Sequence, residues 1–201
     1  TFDNNLPCIA EKEIVAVDSI ADELLHYMVS EQGCYMISKE EQDALTEVVL
    51  KGGRLNRKCV GRDAKTLLGM IGITVPDNIR CITFEGPKEH PLIAEELMMP
   101  ILGVVRAKDF DDAVEQAVWL EHGNRHSAHI HSKNVDNITK YAKAIDTAIL
   151  VKNGPSYAAL GFGGEGYCTF TIASRTGEGL TSASTFTKRR RCVMTDSLCI
   201  R

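Results

Sequence analysis

Lys12 to Ile37, the stretch KEIVAVDSIADELLHYMVSEQGCYMI, indicates the fold class of the chain. Its first six residues, 12–17, end in an apolar and partly β-branched run that predicts a strand. From Asp18 onward the apolar residues recur at helical spacing, at Ile20, Ala21, Leu24, Leu25 and Met28. Gly33 indicates the end of this helix, and the short apolar run of residues 34–37 is suited to a buried strand. A strand, a helix and a second strand in this order form the repeating unit of a layered α/β fold.

The same alternation continues toward the C-terminus. Ser38 and Glu41 have the spacing of a capping box, in which the Ser hydroxyl and the Glu carboxylate satisfy opposite free N–H groups. They predict the start of a helix, which ends at Gly52-Gly53. Further helices are predicted at 63–70, 109–118 and 134–145, and further strands at 80–84, 101–106, 126–132 and 148–151. Repeated strand and helix order of this kind predicts an α/β layered domain.

The character of the sequence changes after Asn153-Gly154-Pro155. Helical periodicity fades and glycine becomes frequent, at Gly161, Gly163, Gly164, Gly166, Gly177 and Gly179. The glycine cluster at 161–166 does not match a phosphate-binding P-loop, and we interpret it as a flexible loop at the border of an active-site funnel. Residues 185–201 combine a basic run with an alternating tail, which predicts an arm or edge strand outside the main core.

Length and composition exclude several classes of protein. The chain has 201 residues, a net charge of −4 and a pI near 5.9, so a general nucleic-acid binder is not expected. No apolar stretch approaches the roughly 18 residues that a membrane span needs. The first residues, Thr1-Phe2-Asp3, lack a starting Met, and we interpret them as a cut inside a longer protein, with any targeting segment upstream.

The seven cysteines predict free thiols instead of a disulfide framework. Their number is odd, and no two of them have CxxC spacing. Scattered thiols in an acidic chain of this size are typical of a reducing cytosol. For most of them the simplest interpretation is a small buried apolar side chain.

Cys8 is the exception, because it lies at the end of a loop, in the segment Asn4-Asn5-Leu6-Pro7-Cys8-Ile9-Ala10-Glu11-Lys12. A thiol directly before a strand, behind two Asn residues and a Pro, can be exposed, as nucleophilic catalysis requires. Backbone N–H groups and the Asn5 amide could hold a developing oxyanion there. A buried cysteine at the start of a strand is the alternative interpretation of the same spacing.

This segment resembles the nucleophile loop of CoA-acylating aldehyde dehydrogenases of the ethanolamine- and propanediol-utilisation type. Residues 95–101, EELMMPI, resemble the superfamily motif Glu-Glu-x-Phe-Gly-Pro, with Met98 in place of Phe. Three further stretches resemble that group in the same order, at residues 122–132, 161–166 and 176–179. The resemblance runs from the first residue to the last.

The resemblance implies a reaction and an architecture. The Cys8 thiolate would attack a short-chain aldehyde, NAD would accept the hydride, and the thiol of CoA would take the acyl group from Cys8 in a reversible exchange. The fold would be a three-layer α/β/α catalytic domain over residues 1–175, with a C-terminal arm over 176–201 that helps to form a homo-oligomer, a dimer or tetramer. The family's NAD-binding domain is absent from the sequence, so this stretch alone is expected to have little activity. A bacterial cytoplasmic location within a microcompartment is implied too.

The resemblance also assigns roles to Glu96 and His126. Glu96 matches the family glutamate that holds a ribose of the cofactor through its hydroxyls; without the resemblance, a surface carboxylate at a helix end would be the simpler interpretation. His126 stands where the acylating group has a His near the thiol, and a neutral imidazole there could move a proton during thioester exchange. A histidine that merely orients the loop is the alternative.

Four histidines within ten residues raise the question of a metal site, at His122, His126, His129 and His131. In an extended segment, His129 and His131 share one face. No carboxylate or cysteine completes a recognised zinc spacing nearby, and the family that the chain resembles uses no metal. We therefore expect no metal site.

Two other functions stay open from the sequence. One is a cysteine hydrolase that uses Cys8 and His126 without a nucleotide. The other is a non-catalytic assembly module, in which the tail mediates oligomerisation and Cys8 is inert. Acetaldehyde and propanal are both compatible substrates for the acylating dehydrogenase.

Overall fold

The computed structural model describes residues 1–164, 168–173, 179–193 and 195. Six helices alternate with most of the strands: α1 Asp18–Ser30, α2 Lys39–Val49, α3 Ala64–Gly69, α4 Pro91–Ala94, α5 Phe110–Leu120 and α6 Val135–Ile145. The strands are β1 Glu13–Val17, β2 Cys34–Met36, β3 Leu50–Lys51, β4 Arg54–Leu55, β5 Cys81–Glu85, β6 Ile101–Ala107, β7 Ser127–Ile130, β8 Ile149–Lys152, β9 Ile172–Ala173 and β10 Gly179–Leu180. Short 3₁₀ turns lie at Phe2–Asn5, Ser156–Leu160 and Ala183–Phe186.

The central sheet has four strands, all parallel, in the order β1-β6-β5-β2. The chain crosses from β1 to β2 at the opposite edge and then returns through β5 and β6 to pair with β1. A second parallel pair is formed by β7 and β8, and two small antiparallel pairs are formed by β3 with β4 and by β9 with β10. Parallel strands joined by helices confirm the α/β prediction.

The two faces of the central sheet carry separate apolar clusters. Alternate residues such as Ala16, Cys34 and Val104 pack with Ala21 and Met28 of α1 on one face. The intervening residues, such as Ile82, Phe84 and Ile101, pack on the other face with side chains of α2, α3 and α4. Because successive side chains of a strand point to opposite faces, each strand serves both clusters. The predicted three-layer α/β/α arrangement is therefore confirmed.

The predicted helix starts are confirmed at three caps. The Ser38 hydroxyl accepts a hydrogen bond from the Glu41 amide at 3.3 Å, and the Glu41 carboxylate accepts one from the Ser38 amide at 2.6 Å. Asp109 accepts from the amide of Asp112, and Asn134 accepts from those of Asp136 and Asn137. Side-chain oxygens thus replace the partners that the first turn of a helix lacks.

Several local features differ from the predictions. Gly52 and Gly53 form the turn of the β3–β4 hairpin instead of simply ending a helix, and both have positive φ angles. The predicted apolar faces also include exposed side chains, since Ile20 is 53% and Val135 is 72% exposed. Both lie in the first turn of their helices, where the spacing is helical but the packing against the sheet has not yet begun.

The four-residue helix α4 was too short for its sequence pattern to predict. It packs on β6 at Gly103, where an added Cβ would lie 2.3 Å from Cγ1 of Ile93. Only a glycine allows this approach, because any side chain at residue 103 would push α4 away. The close packing fixes the segment that follows α4, which contains Glu96.

The C-terminal predictions are only partly within the described residues. Residues 165–166 of the first glycine loop and 176–178 of the second lie outside them, as do Cys199 and most of the predicted tail strand. The domain boundary at 175 and the oligomerisation arm therefore stay predictions. None of the helices in the described part is long and apolar enough to cross a membrane.

Candidate active site

Cys8 lies at the tip of a tight loop before β1. The 3₁₀ turn Phe2–Asn5 precedes it, and Asp3, Asn4 and Asn5 have positive φ angles of 48°, 52° and 58°. A turn in which the Ala10 amide donates to the Pro7 carbonyl at 2.9 Å then reverses the chain around Cys8. Cys8 is exposed, as the nucleophile interpretation requires, while the neighbouring Ile9 is fully buried.

The two asparagines before Cys8 hold the loop in place. The Asn4 side-chain amide donates to the Gly61 carbonyl at 3.1 Å and to the Asp63 carboxylate at 2.9 Å. The buried Asn5 amide donates to the Glu11 carbonyl at 3.1 Å, so it closes the loop around Cys8. Asn5 Oδ1 has no hydrogen-bond partner in the described part of the chain. These contacts give Asn5 a part in the loop structure, and its oxyanion role stays a prediction.

Glu96 is brought to the same edge of the sheet by strand pairing. Cys8 precedes β1, Glu96 precedes β6, and these strands are parallel neighbours with Glu13 opposite Gly103. The amino ends of paired parallel strands lie side by side, so the loops before them meet. Gly61 links these loops, because its carbonyl accepts from Asn4 and its amide donates to the Met98 carbonyl at 2.9 Å.

The pKa of Cys8 is affected by the nearby charge of Glu96. Although Cys8 is exposed, partial desolvation of its thiol raises the pKa above the ordinary 9.0, the backbone hydrogen bond at Cys8 lowers it, and the charge of Glu96 raises it further. Glu96 is exposed, and within the described residues its carboxylate takes part in no hydrogen bond or ion pair. A free carboxylate close to the thiol fits the hydroxyls of a ribose, which donate hydrogen bonds.

Lys12 connects the Cys8 loop to the end of α4. Its ammonium donates to the carbonyls of Ile93 at 3.0 Å and Ala94 at 3.1 Å. It also lies 2.9 Å from the Glu13 carboxylate, in an ion pair without hydrogen-bond geometry. Burial raises the pKa of Glu13, and the charge of Lys12 opposes that shift. The motif around Cys8 contained this lysine, but nothing in its spacing indicated the contact.

Glu11 and Ile9 connect the same loop to the opposite side of the site. Glu11 accepts a hydrogen bond from the Ser156 amide at 2.9 Å, at the start of the 3₁₀ turn Ser156–Leu160. Burial alone would raise the pKa of Glu11, but the hydrogen bonds from Ser156 and the nearby His129 lower it below its ordinary value. Ile9 packs in a cluster with Ile149, Val151, Ala159 and Leu160. The turn that leads into the glycine loop is thereby fixed against the nucleophile loop.

His126 lies just before β7 and is half-buried. Its amide donates to the Glu121 carboxylate at 3.2 Å, and its Nδ1 lies 3.1 Å from the Ser127 hydroxyl. No hydrogen bond joins its side chain to Cys8 among the described residues. The link between them is indirect, because the Ile149 amide donates to the His126 carbonyl at 3.1 Å and Ile149 belongs to the same apolar cluster as Ile9.

The other histidines and cysteines occupy different surroundings. His129 is largely buried and its Nε2 has no partner within the described residues; burial lowers its pKa, and the charge of Glu11 opposes that. No group of three or more metal-binding side chains occurs in the part of the chain that the structure describes. The six cysteines there are free: Cys34, Cys59 and Cys81 are buried as expected, whereas Cys168 and Cys192 are exposed.

Comparison with known proteins gives one family. The sequence profile of the aldehyde dehydrogenase family matches residues 78–187. The acetylating acetaldehyde dehydrogenase EutE of Salmonella typhimurium is 46% identical over 203 residues, which cover 98% of this chain and 43% of that protein. The chain thus spans less than half the length of this curated relative.

Solved structures match the whole chain as well. A propionaldehyde dehydrogenase from the fucose utilisation bacterial microcompartment of Clostridium phytofermentans is 82% identical, with a TM-score of 0.93 over 100% of this chain and 46% of that one. Cysteine-to-alanine and histidine-to-alanine mutants of that enzyme also match, and their mutated positions are as far apart in sequence as Cys8 and His126 are here. A Rhodopseudomonas palustris propionaldehyde dehydrogenase with bound CoA and an acylated cysteine is 54% identical, with a TM-score of 0.91 over 96% of this chain and 44% of that one.

Proposed function

The chain belongs to the aldehyde dehydrogenase family, and we propose that it carries the nucleophile of a CoA-acylating member, which converts a short-chain aldehyde, CoA and NAD to acyl-CoA and NADH. The observation that carries the proposal is the exposed Cys8 thiol, held on a tight loop within reach of the charge of Glu96. The relative with bound CoA and an acylated cysteine supports the same chemistry.

Cys8 forms and breaks the covalent bonds of the reaction. Its thiolate attacks the carbonyl carbon of the aldehyde and gives a thiohemiacetal on the sulfur. NAD, held through Glu96, would supply the hydride acceptor, so that the carbon on the Cys8 sulfur becomes the acyl carbon of a thioester as its hydroxyl proton leaves. The thiolate of CoA then attacks the acyl carbon, the bond to Cys8 breaks, and the acyl group leaves on CoA. One thioester replaces another, so the last step is reversible.

Glu96 would bind the cofactor ribose next to this thiol. An unpaired carboxylate accepts hydrogen bonds from two neighbouring hydroxyls, and its place on the loop before β6 keeps it beside the Cys8 loop. Met98 follows with a positive φ of 53°, at the position where the wider superfamily has a Phe. A flexible thioether would therefore replace the aromatic ring at the nicotinamide end of the cofactor.

His126 would move a proton during thioester exchange. The spacing of the mutated histidine and cysteine in the propionaldehyde dehydrogenase supports the pairing of His126 with Cys8. Its ring is half-buried and has one nitrogen near the Ser127 hydroxyl, which leaves Nε2 for a substrate or water. Asn5 would contribute to the oxyanion site from within the Cys8 loop, which its side-chain amide closes through the Glu11 carbonyl.

The comparisons also support the substrate class and the location. The relatives act on acetaldehyde or propionaldehyde, as their names state, and one comes from a bacterial microcompartment. We therefore assign acetaldehyde or propanal as substrate and a microcompartment in the bacterial cytoplasm as location. A homo-oligomer built through the C-terminal arm completes the proposal.

The proposal is tested by replacing the nucleophile in the complete gene product. Cys8→Ala should abolish NADH formation that depends on both aldehyde and CoA, measured at 340 nm. Cys168→Ala, which removes another exposed thiol, should keep activity within about twofold. An active Cys8→Ala enzyme would show that the central assignment is wrong. Ester hydrolysis by the wild type that is indifferent to CoA and nucleotide would instead favour a cysteine hydrolase.

A further inference from the structure

We propose that Lys12 is a positioning residue that sets the alignment of Cys8 with Glu96, and so the geometry of hydride transfer. The inference rests on the proposed function. It concerns a side chain that touches neither the substrate nor the cofactor, and it adds a residue to the site that the motif resemblance did not assign.

The contacts of Lys12 join the two halves of the site. Lys12 lies four residues after Cys8, and its ammonium donates to the carbonyls of Ile93 and Ala94, directly before the Glu95-Glu96 pair. The third neighbour of its ammonium is the Glu13 carboxylate at 2.9 Å. The side chain of Lys12 is 24% exposed, so these groups are largely screened from water.

Lys12 supplies hydrogen-bond donors to the last carbonyls of helix α4. The last carbonyls of a helix have no partner within the helix, and α4 has only four residues. A lysine is suited to this place, because it offers several donors and its positive charge opposes the negative end of the helix dipole. On the opposite side, Ile93 is held against Gly103 of β6. Lys12 thus fixes the end of α4 relative to β1. The Cys8 loop leads directly into β1, so it is fixed relative to α4 as well.

The two chemical steps on Cys8 should respond differently to this alignment. Hydride transfer needs the thiohemiacetal carbon at Cys8 and the cofactor at Glu96 in one geometry, and a misplacement of about 1 Å can lower such a rate about 100-fold. Acyl exchange with CoA uses Cys8 and its neighbours but neither the cofactor nor Glu96: the Cys8 sulfur bonds the acyl carbon as the bond to the CoA sulfur breaks, with no change of oxidation state. A loss of alignment should therefore impair the first step and leave the second intact.

The test measures both steps in the complete gene product carrying Lys12→Met, which keeps the apolar stem and removes the donors. NADH formation from aldehyde and CoA should fall by about 10- to 100-fold, with a raised KM for NAD. Exchange of labelled CoA into acetyl-CoA, measured without nucleotide, should stay within about twofold of wild type. Lys12→Arg, which retains the charge and donors, should recover most of the NADH formation.

Two control variants keep the result interpretable. Lys140→Met removes a lysine that pairs with Asp111 at 2.6 Å on another surface, and it should change neither step. Lys12→Met leaves the Glu13 carboxylate without its partner, so the same substitution is also made together with Glu13→Gln, which removes that charge. Thermal melting of each variant shows that it is folded before the rates are compared.

Equal losses in both steps would overturn the inference, since they would show general damage to the loop. Unchanged NADH formation in both Lys12→Met variants would overturn it as well. A failure of the proposed function would be seen instead in the wild type and in Cys8→Ala, which both retain Lys12. In that case Cys8→Ala would keep NADH formation, or the wild type would exchange no CoA.

Discussion

At the scale of single residues, the site places a carboxylate beside a thiol whose ionised form it disfavours. Partial burial and the charge of Glu96 both raise the pKa of Cys8. The thiolate is the reactive species, so the resting protein holds Cys8 mainly as the less reactive thiol near neutral pH. A ribose hydroxyl that donates to Glu96 would partly screen that charge from the thiol. If Glu96 binds the cofactor as proposed, we expect binding to increase the reactivity of Cys8.

The first prediction follows from this charge. Glu96→Gln should lower the pKa of Cys8, so the midpoint of the pH profile for alkylation by iodoacetamide should move to lower pH. Alkylation of Cys8 at pH 8 should be faster than in wild type, as measured by mass spectrometry of the peptide that contains Cys8. Glu89→Gln, on the surface before α4, serves as the matched control. An unchanged profile in Glu96→Gln would mean that the carboxylate does not act on the thiol.

At the scale of elements, the site depends on how closely α4 approaches β6. Gly103 has no side chain to separate them, and Ile93 occupies the space where a Cβ would lie. His90 begins the same helix, since its Nδ1 accepts a hydrogen bond from the Leu92 amide at 3.2 Å. With Lys12 at the other end, one short helix is held at its start, middle and end.

The second prediction concerns this packing. Gly103→Ala should destabilise the protein by about 1–3 kcal/mol, because the added methyl overlaps Ile93 and α4 must move. Gly69→Ala is the control: its Cβ would meet nothing within 4 Å, and in helix α3 it should be neutral or stabilise by up to about 1 kcal/mol. Urea denaturation measures both changes. Equal midpoints for the two variants would contradict the packing argument.

At the scale of the whole molecule, the strand and helix order was predictable, but the sheet order was not. Local spacing located most helices and the longer strands, because apolar periodicity is a property of neighbouring residues. The pairing of β1 with β6, instead of with β2, depends on contacts between distant segments that no local pattern contains. The loop position of Cys8 indicated an exposed thiol, but for the same reason only the family resemblance indicated the role of Glu96. Lys12 was missed because a long flexible side chain can reach many partners.

The third prediction concerns the pH dependence of global stability. Burial lowers the pKa of His90 below 6.5, with a smaller contribution from Lys39 that Asp43 opposes, and burial likewise lowers that of His129. Each histidine is therefore neutral in the folded state when the unfolded chain begins to bind protons. Their stabilising effect is complete above pH 6.5 and is lost as pH falls through the lowered pKa values.

Urea midpoints between pH 8 and pH 5 should accordingly decrease toward acid. His90→Asn keeps a side-chain acceptor before α4 but does not titrate, so its profile should be flatter than that of wild type. His26→Asn, on the exposed side of α1, is the control and should follow the wild-type slope. A profile for His90→Asn as steep as the wild-type profile would show that His90 makes no contribution.

Cys8 and Glu96 lie at the amino ends of β1 and β6, and this position affects which charged groups of a ligand are attracted to the site. Doubly wound folds usually bind phosphates at the carboxyl ends of their strands, where helices present N–H groups. At the amino ends, helices end in carbonyls with partial negative charge, and here the exposed carboxylate of Glu96 adds its charge beside Cys8. We expect this edge to attract the cationic ring of an oxidised nicotinamide and to release the neutral reduced ring. The negative charge at the amino ends of the parallel strands would then favour replacement of the reduced cofactor by the oxidised one.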